Sequence, residues 1–134
     1  MLTQTQLDDI GKLIVRLMVG VLILLHGLHK VLNPESLDSI RSMLTTIGLP
    51  QSIAYGVYLG EVLGGLMVAL GIYSRLGGAL IVGNMLFALG LAHSAQIFTL
   101  NNMGGWTVEL QAFFLFSGLA IIFLGSGRLA LKPD

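Results

Sequence analysis

The sequence contains no cysteine. Disulfides, thiolate metal sites and a dithiol redox relay within this chain are therefore excluded. Charge is scarce as well. Only 10% of the residues are Asp, Glu, Lys or Arg, against about a quarter in soluble domains. The few charges balance, with 7 basic and 7 acidic residues, so no basic surface points to nucleic acid. With 134 residues, the chain is one compact unit and too short for two.

Long apolar runs take up most of what remains. Four stretches, about 10–32, 51–73, 75–99 and 106–124, are apolar enough to cross a bilayer. A hydrocarbon core of roughly 30 Å needs about 20 apolar residues in a helix. Backbone groups in lipid must be satisfied internally, which selects helices. The expected fold is all-α, a four-transmembrane-helix bundle forming a single domain over 1–134. The first stretch carries Arg16 and is too long for the apolar part of a cleaved signal peptide. It reads as a retained anchor.

An even number of spans places both termini on one side. Lys12, Arg16, Arg75, Arg128 and Lys132 fall near that side. The positive-inside rule then makes it the cytoplasmic face. Residues 1–9 are polar and start the first helix on that face. Between the first two spans, Asn33-Pro34-Glu35 has helix-start chemistry, with an N-cap candidate and Pro at the first position. Leu37, Ile40, Leu44 and Ile47 follow at helical spacing, and Gly48 and Pro50 end the run. A short amphipathic helix on the outer interface is expected here. Tyr73-Ser74-Arg75 is a tight turn between antiparallel neighbours. Gly56, Gly60 and Gly64 mark one face of the second helix, for close packing inside the bundle or against a second copy. Arg16, Gly20, Ile23, Gly27 and Lys30 form a stripe on the first helix that is expected to face the interior.

Ionisable residues in lipid are costly and mark functional sites. At a rise of about 1.5 Å per residue, they collect in the outer half. Glu61 lies deep in the second span and is too short to reach water. It must be protonated, face a polar cavity, or pair with Arg16, Lys30 or a histidine. Arg16 is two turns or more away in depth, and Lys30 reaches more easily. His26 and His29, spaced i, i+3, can look into one cavity. His93 falls late in the third span, and Glu109 early in the fourth, beside Trp106. Asn84 is nine residues from His93, on the opposite face of an ideal helix, and is assigned to another contact.

Glu61, His26 and His93 are the candidates for proton chemistry. His29, Glu109, Arg16, Lys30 and Trp106 are candidates for holding a bound cofactor. His26, His93 and Glu61 are also the candidate metal ligands, for zinc, iron or copper. Their spacing matches no diagnostic metal motif.

These residues also carry a family resemblance. Arg16-Leu17-x-x-Gly20, His26-Gly27-x-x-Lys30 and Gly48-Leu49-Pro50 resemble segments of the DoxX family. Glu61-Val62-Leu63-Gly64-Gly65, followed by Gly71 and Arg75, is similar to its most recognisable segment, and His93, Glu109 and Gly125-x-Gly127 also fit. The resemblance spans about residues 11–128. It implies four transmembrane helices in a bacterial or archaeal cytoplasmic membrane. It further implies kinship with a subunit of a thiosulfate:quinone oxidoreductase and with membrane oxidoreductase assemblies. The tail from Ser126 to Asp134 departs from the family's usual Ser-Leu-Asp ending, so no tail contact is carried over. Three functions follow. The first is a quinone-linked redox subunit with a partner subunit or soluble electron donor. The second is a metal-handling membrane protein, and the third a non-catalytic scaffold. Membrane lipids are partners in each.

Overall fold

The computed structural model describes all residues, Met1–Asp134. Helix α1 spans Gln4–Leu32 and opens with a capping box between Thr3 and Gln6. The polar first residues thus form its first turns, as expected. A 3-10 turn, Pro34–Leu37, leads into the short helix α2, Asp38–Thr46. Leu37 and Leu44 are fully buried beneath it, while Ile47 is exposed. Asn33 does not cap this segment. Its amide donates instead to His29 O, at the end of α1.

The second long element, α3, runs Gln51–Leu70. It is not a uniform helix. A 3-10 turn at Gln51–Tyr55 and one α turn at Gly56–Tyr58 precede a π-helical turn at Leu59–Leu63. Regular α-helix resumes at Gly64–Leu70 and ends on Gly71, in the left-handed region at φ 75°. The sequence reading carried this span on to Tyr73, but Gly71 stops it. Tyr73 also stands in the left-handed region, at φ 47°, which is rare for a residue with a Cβ.

Helix α4, Ser74–Leu91, ends eight residues before the expected boundary at 99. Polar His93, Ser94 and Gln96 break the apolar run, and the chain turns back on itself there. A 3-10 turn at Ser94–Gln96 and a small hairpin pairing Leu100 with Trp106 take up its backbone groups. His93 and Trp106 therefore lie outside the helices expected to hold them. The last helix, α5, is Glu109–Leu124. Helices α1, α3 and α4 are long and apolar enough to cross a membrane, while α5 is equally apolar but has 16 residues.

Glycines set the spacing of the bundle. A Cβ on Gly65 would stand 3.1 Å from Gly20 O, joining α1 to α3. Gly64 and Gly77 bring α3 onto α4, and Gly78 and Gly118 bring α4 onto α5. Packing in lipid depends on such close backbone contact. The Arg16–Lys30 stripe faces inward as expected, with Gly20, Ile23 and Gly27 buried. Of the two uses open to the Gly56–Gly60–Gly64 face, packing inside the bundle is the one seen. Gly60 and Gly64 are covered by α4, and only Gly56 is open. Gly20→Ala would place a methyl 2.6 Å from Ala69 N, and is expected to destabilise by about 2 kcal/mol. Gly56→Ala meets nothing within 4 Å and is expected to be neutral. Thermal unfolding in detergent compares the two.

At the end of the bundle that holds both termini, the tail folds back over the helix ends. Leu131 N and Lys132 N donate to Leu70 O and Gly71 O. Arg75 donates to Ile122 O, Phe123 O and Asp134 O, and Asp9 pairs with Arg128. The opposite end, covered by α2 and the hairpin, carries the cavity described next.

Candidate functional site

Glu61 sits in the middle of the π turn of α3. A π turn holds one residue more than an α turn, breaks the regular register, and recurs at functional sites. Two glycines make room around it. Gly27 on α1 lies so close that a Cβ there would be 2.9 Å from Glu61 C. Gly60 leaves space for Asn84 on α4, which a Cβ would strike. Glu61 is 4% exposed as a result.

One turn beyond Gly27, Lys30 reaches across. Its Nζ donates to Glu61 Oε1 at 2.5 Å, and Asn84 Nδ2 donates to Oε2 at 3.4 Å. Tyr58 Oη donates to Lys30 O, pinning the end of α1 to α3. Of the cations offered by the sequence, Lys30 is thus the partner of Glu61. Arg16, 14 residues earlier on α1, is about 21 Å away along the helix. It is fully buried, and donates to the carbonyls of Val68, Ala69, Ser126 and Leu129. It closes the other end of the bundle and takes no part in this site.

The ion pair opens onto a cavity of about 380 Å³. Its polar lining comes from every major element: His26 and Lys30 on α1, Glu61 on α3, Asn84 on α4, His93 beyond α4, and Gln111 on α5. Ile23, Met85, Phe87 and Phe114 form apolar walls, and Ser36, Ile40 and Met43 roof it from the α2 segment. The Ser36 Oγ is buried and unpartnered. His26 packs edge-on against Phe114, with ring centroids 5.8 Å apart. His93 Nδ1 lies 2.8 Å from Gln96 Oε1. That contact assigns the proton to Nδ1, because an amide oxygen only accepts. Nε2 is then the acceptor, and Gln111 Nε2 donates to it at 3.5 Å.

Glu61, Lys30, His26 and His93 from the sequence reading therefore meet at one cavity. His29 does not. It lies on the exposed side of α1, with Nδ1 3.3 Å from Asn33 Nδ2. Glu109 and Trp106 border a separate groove on the outside of α5. Asn84, assigned elsewhere by the face argument, belongs to the cavity. The ideal helix used to separate it from His93 ends at Leu91. Its signal lay in its own register, two turns from Gly77 on the glycine face against α3. Gln111 was missed outright, although it is the one side-chain amide within α5. No three His, Asp or Glu side chains lie close enough to hold a metal ion together.

An all-helical, multi-pass membrane protein with an acid–base pair buried at one end of its bundle is the class that this fold and site define. The DoxX family model matches residues 11–94, more than half of the chain, and this protein belongs to the DoxX family. A Bacillus subtilis (strain 168) protein named "Putative oxidoreductase CatD" is 30% identical over 125 residues, covering 93% of this chain and 87% of that protein. No solved structure matches the chain.

Proposed function

We propose that this chain is the membrane subunit of a quinone-linked oxidoreductase, and that its cavity takes the quinone head. The observation that supports this most is the Lys30–Glu61 pair, its carboxylate buried and its ammonium partly so, facing an apolar-walled cavity. A buried ion pair is a poor device for stability, since apolar residues of similar volume serve as well or better. Its presence beside a cavity calls for a polar ligand. Quinone carbonyls accept hydrogen bonds, and Lys30 Nζ, Asn84 Nδ2 and the His26 ring offer donors. The ring needs an apolar slot, which Phe114, Met85 and Ile23 form. A volume of about 380 Å³ falls within the range of small-molecule sites, roughly 300–1,000 Å³.

Reduction of a quinone consumes two electrons and two protons. With no cysteine in the chain, no dithiol here supplies the electrons, and they come from a partner subunit or a soluble donor. The protons fall to this chain's own residues. Imidazoles switch protonation near neutrality. His93, hydrogen-bonded through Nε2 to Gln111, passes protons inward, and the Lys30–Glu61 pair delivers them to the head. The basic residues near the termini support a cytoplasmic-membrane location with both termini inside.

Native mass spectrometry of the protein, extracted with its own lipids, is the test. A retained quinone mass is expected, and Glu61→Gln should abolish both that mass and quinone reduction in the assembled complex. A Glu61→Gln variant that loses stability but never held a ligand would instead make the chain a scaffold.

A further inference from the structure

Glu109 has no charged partner. The ion pairs of the protein, Lys30–Glu61, Arg41–Asp38 and Arg128–Asp9, leave it out. Its carboxylate folds back toward the hairpin, where a Cβ on Gly105 would stand 2.9 Å from Oε2. The same Cβ would stand 3.2 Å from Asn101 Nδ2, so a carboxylate and an amide flank Gly105. Asn101 Oδ1 accepts from Met103 N and Gly105 N. Those two bonds fix the amide's orientation and leave Nδ2 as a free donor. Trp106 borders the same place, but its Nε1 donates to Ile97 O, so the indole offers only its ring. One acceptor, one donor and an aromatic ring thus meet at the head of α5, the first two with no partner in the chain.

From there a groove of about 580 Å³ runs down the outside of α5. Glu109 and Trp106 line its head, and Val15 on α1 lines it lower down. Its shape follows from residue size. Phe113 and Phe116 project outward and are 73% and 60% exposed. Ser117 and Ala120 stand one turn below them, at i+4 from each, and are small. Two large side chains above two small ones leave a trough. From Glu109 to Leu124 the helix rises about 23 Å, more than the roughly 15 Å that one leaflet adds to a hydrocarbon core. Below Glu109 the lining is apolar except for Ser117. The groove shares no lining residue with the Glu61 cavity.

We propose that this groove is a selective site for phosphatidylethanolamine. The lipid's ammonium sits on Glu109, its phosphate turns toward Asn101 Nδ2, and one acyl chain lies along Phe113, Phe116 and Ala120. The charge pattern carries the choice. An unpaired carboxylate at the edge of the bilayer calls for a cation, and the Trp106 ring favours one too. A primary ammonium has three N–H donors and makes a charge-assisted hydrogen bond to a carboxylate. A choline head carries the same charge but no N–H. A phosphatidylglycerol head brings only negative charge to a negative site. The free amide beside Glu109 matches the other half of a zwitterionic head.

The test uses the full chain in nanodiscs of phosphatidylethanolamine, phosphatidylcholine and phosphatidylglycerol in equal parts, with identical acyl chains. Native mass spectrometry after release from the disc reads which lipids stay bound. Phosphatidylethanolamine is expected to be retained about tenfold over either of the others, or roughly 1.4 kcal/mol. Glu109→Gln should erase that preference, and Glu109→Lys should turn it toward phosphatidylglycerol. Glu109 is exposed and unpaired, so both variants should fold. Ala120→Phe, which fills the trough, should release the retained lipid, and Ser117→Leu covers the case in which Ala120→Phe does not fold. Retention without headgroup preference, or a preference that survives Glu109→Gln, would overturn the proposal. Retention unchanged by filling the trough would place the lipid elsewhere and overturn it as well. A dimer free of lipid would assign the groove to a second copy of the chain, with the same consequence. None of these outcomes bears on the quinone reading, because the two sites have no residue in common.

Discussion

Lys30→Met is expected to destabilise the protein by about 3–5 kcal/mol, the usual cost of stripping one partner from a buried ion pair. The Glu61 side chain is 6% exposed and sits between Gly27 and Asn84. Without Lys30 the carboxylate keeps only the 3.4 Å hydrogen bond from Asn84. Glu61→Gln should cost less. It leaves an ammonium whose side chain is 23% exposed, on a long stem that can swing toward water. The double variant, Lys30→Met with Glu61→Gln, should recover most of the loss, because it removes both charges together. Reversible unfolding in mixed micelles gives the coupling energy from the four proteins. Simple additivity would show that the two charges do not depend on each other. Quinone retention should disappear in all three variants, including the stable double one. That separates the pair's chemistry from its contribution to folding.

Arg16→Met should be at least as damaging, by about 4 kcal/mol. Hydrogen bonds to charged groups contribute about 1.5–3 kcal/mol each, and Arg16 makes four of them, which do not add fully. Two go to Val68 O and Ala69 O, carbonyls in the last turn of α3 that lack helical partners. Two go to Ser126 O and Leu129 O in the returning tail. One guanidinium thus ties α1, the end of α3 and the tail together. Arg16→Lys should rescue little, because a single ammonium cannot span two sets of carbonyls as the planar fork does. Thermal unfolding and proteolysis of the tail beyond Gly125 would report the loss. Quinone affinity of the folded fraction should not change, because Arg16 lies about 21 Å along α1 from Lys30. A selective loss of quinone binding would return Arg16 to the site.

Much of this was legible in the sequence, and the reason is that hydrophobic burial is local and additive along a chain. The apolar runs, the short amphipathic segment on Leu37 and Leu44, and the inward stripe from Arg16 to Lys30 each follow from period and composition. Glu61 stood out because nothing near it in sequence could satisfy a carboxylate in lipid. What intrahelical spacing could not supply was rotation between helices. Depth along the helices already favoured Lys30 over Arg16, but the contact itself depends on the π turn and on Gly27, which set how α3 meets α1. The inclusion of Asn84 depends on Gly60, and the place of His93 on where α4 stops. The task of Arg16 depends on a tail more than a hundred residues away. These are contacts between distant segments, and only packing in three dimensions decides which of several chemically equal partners is within reach.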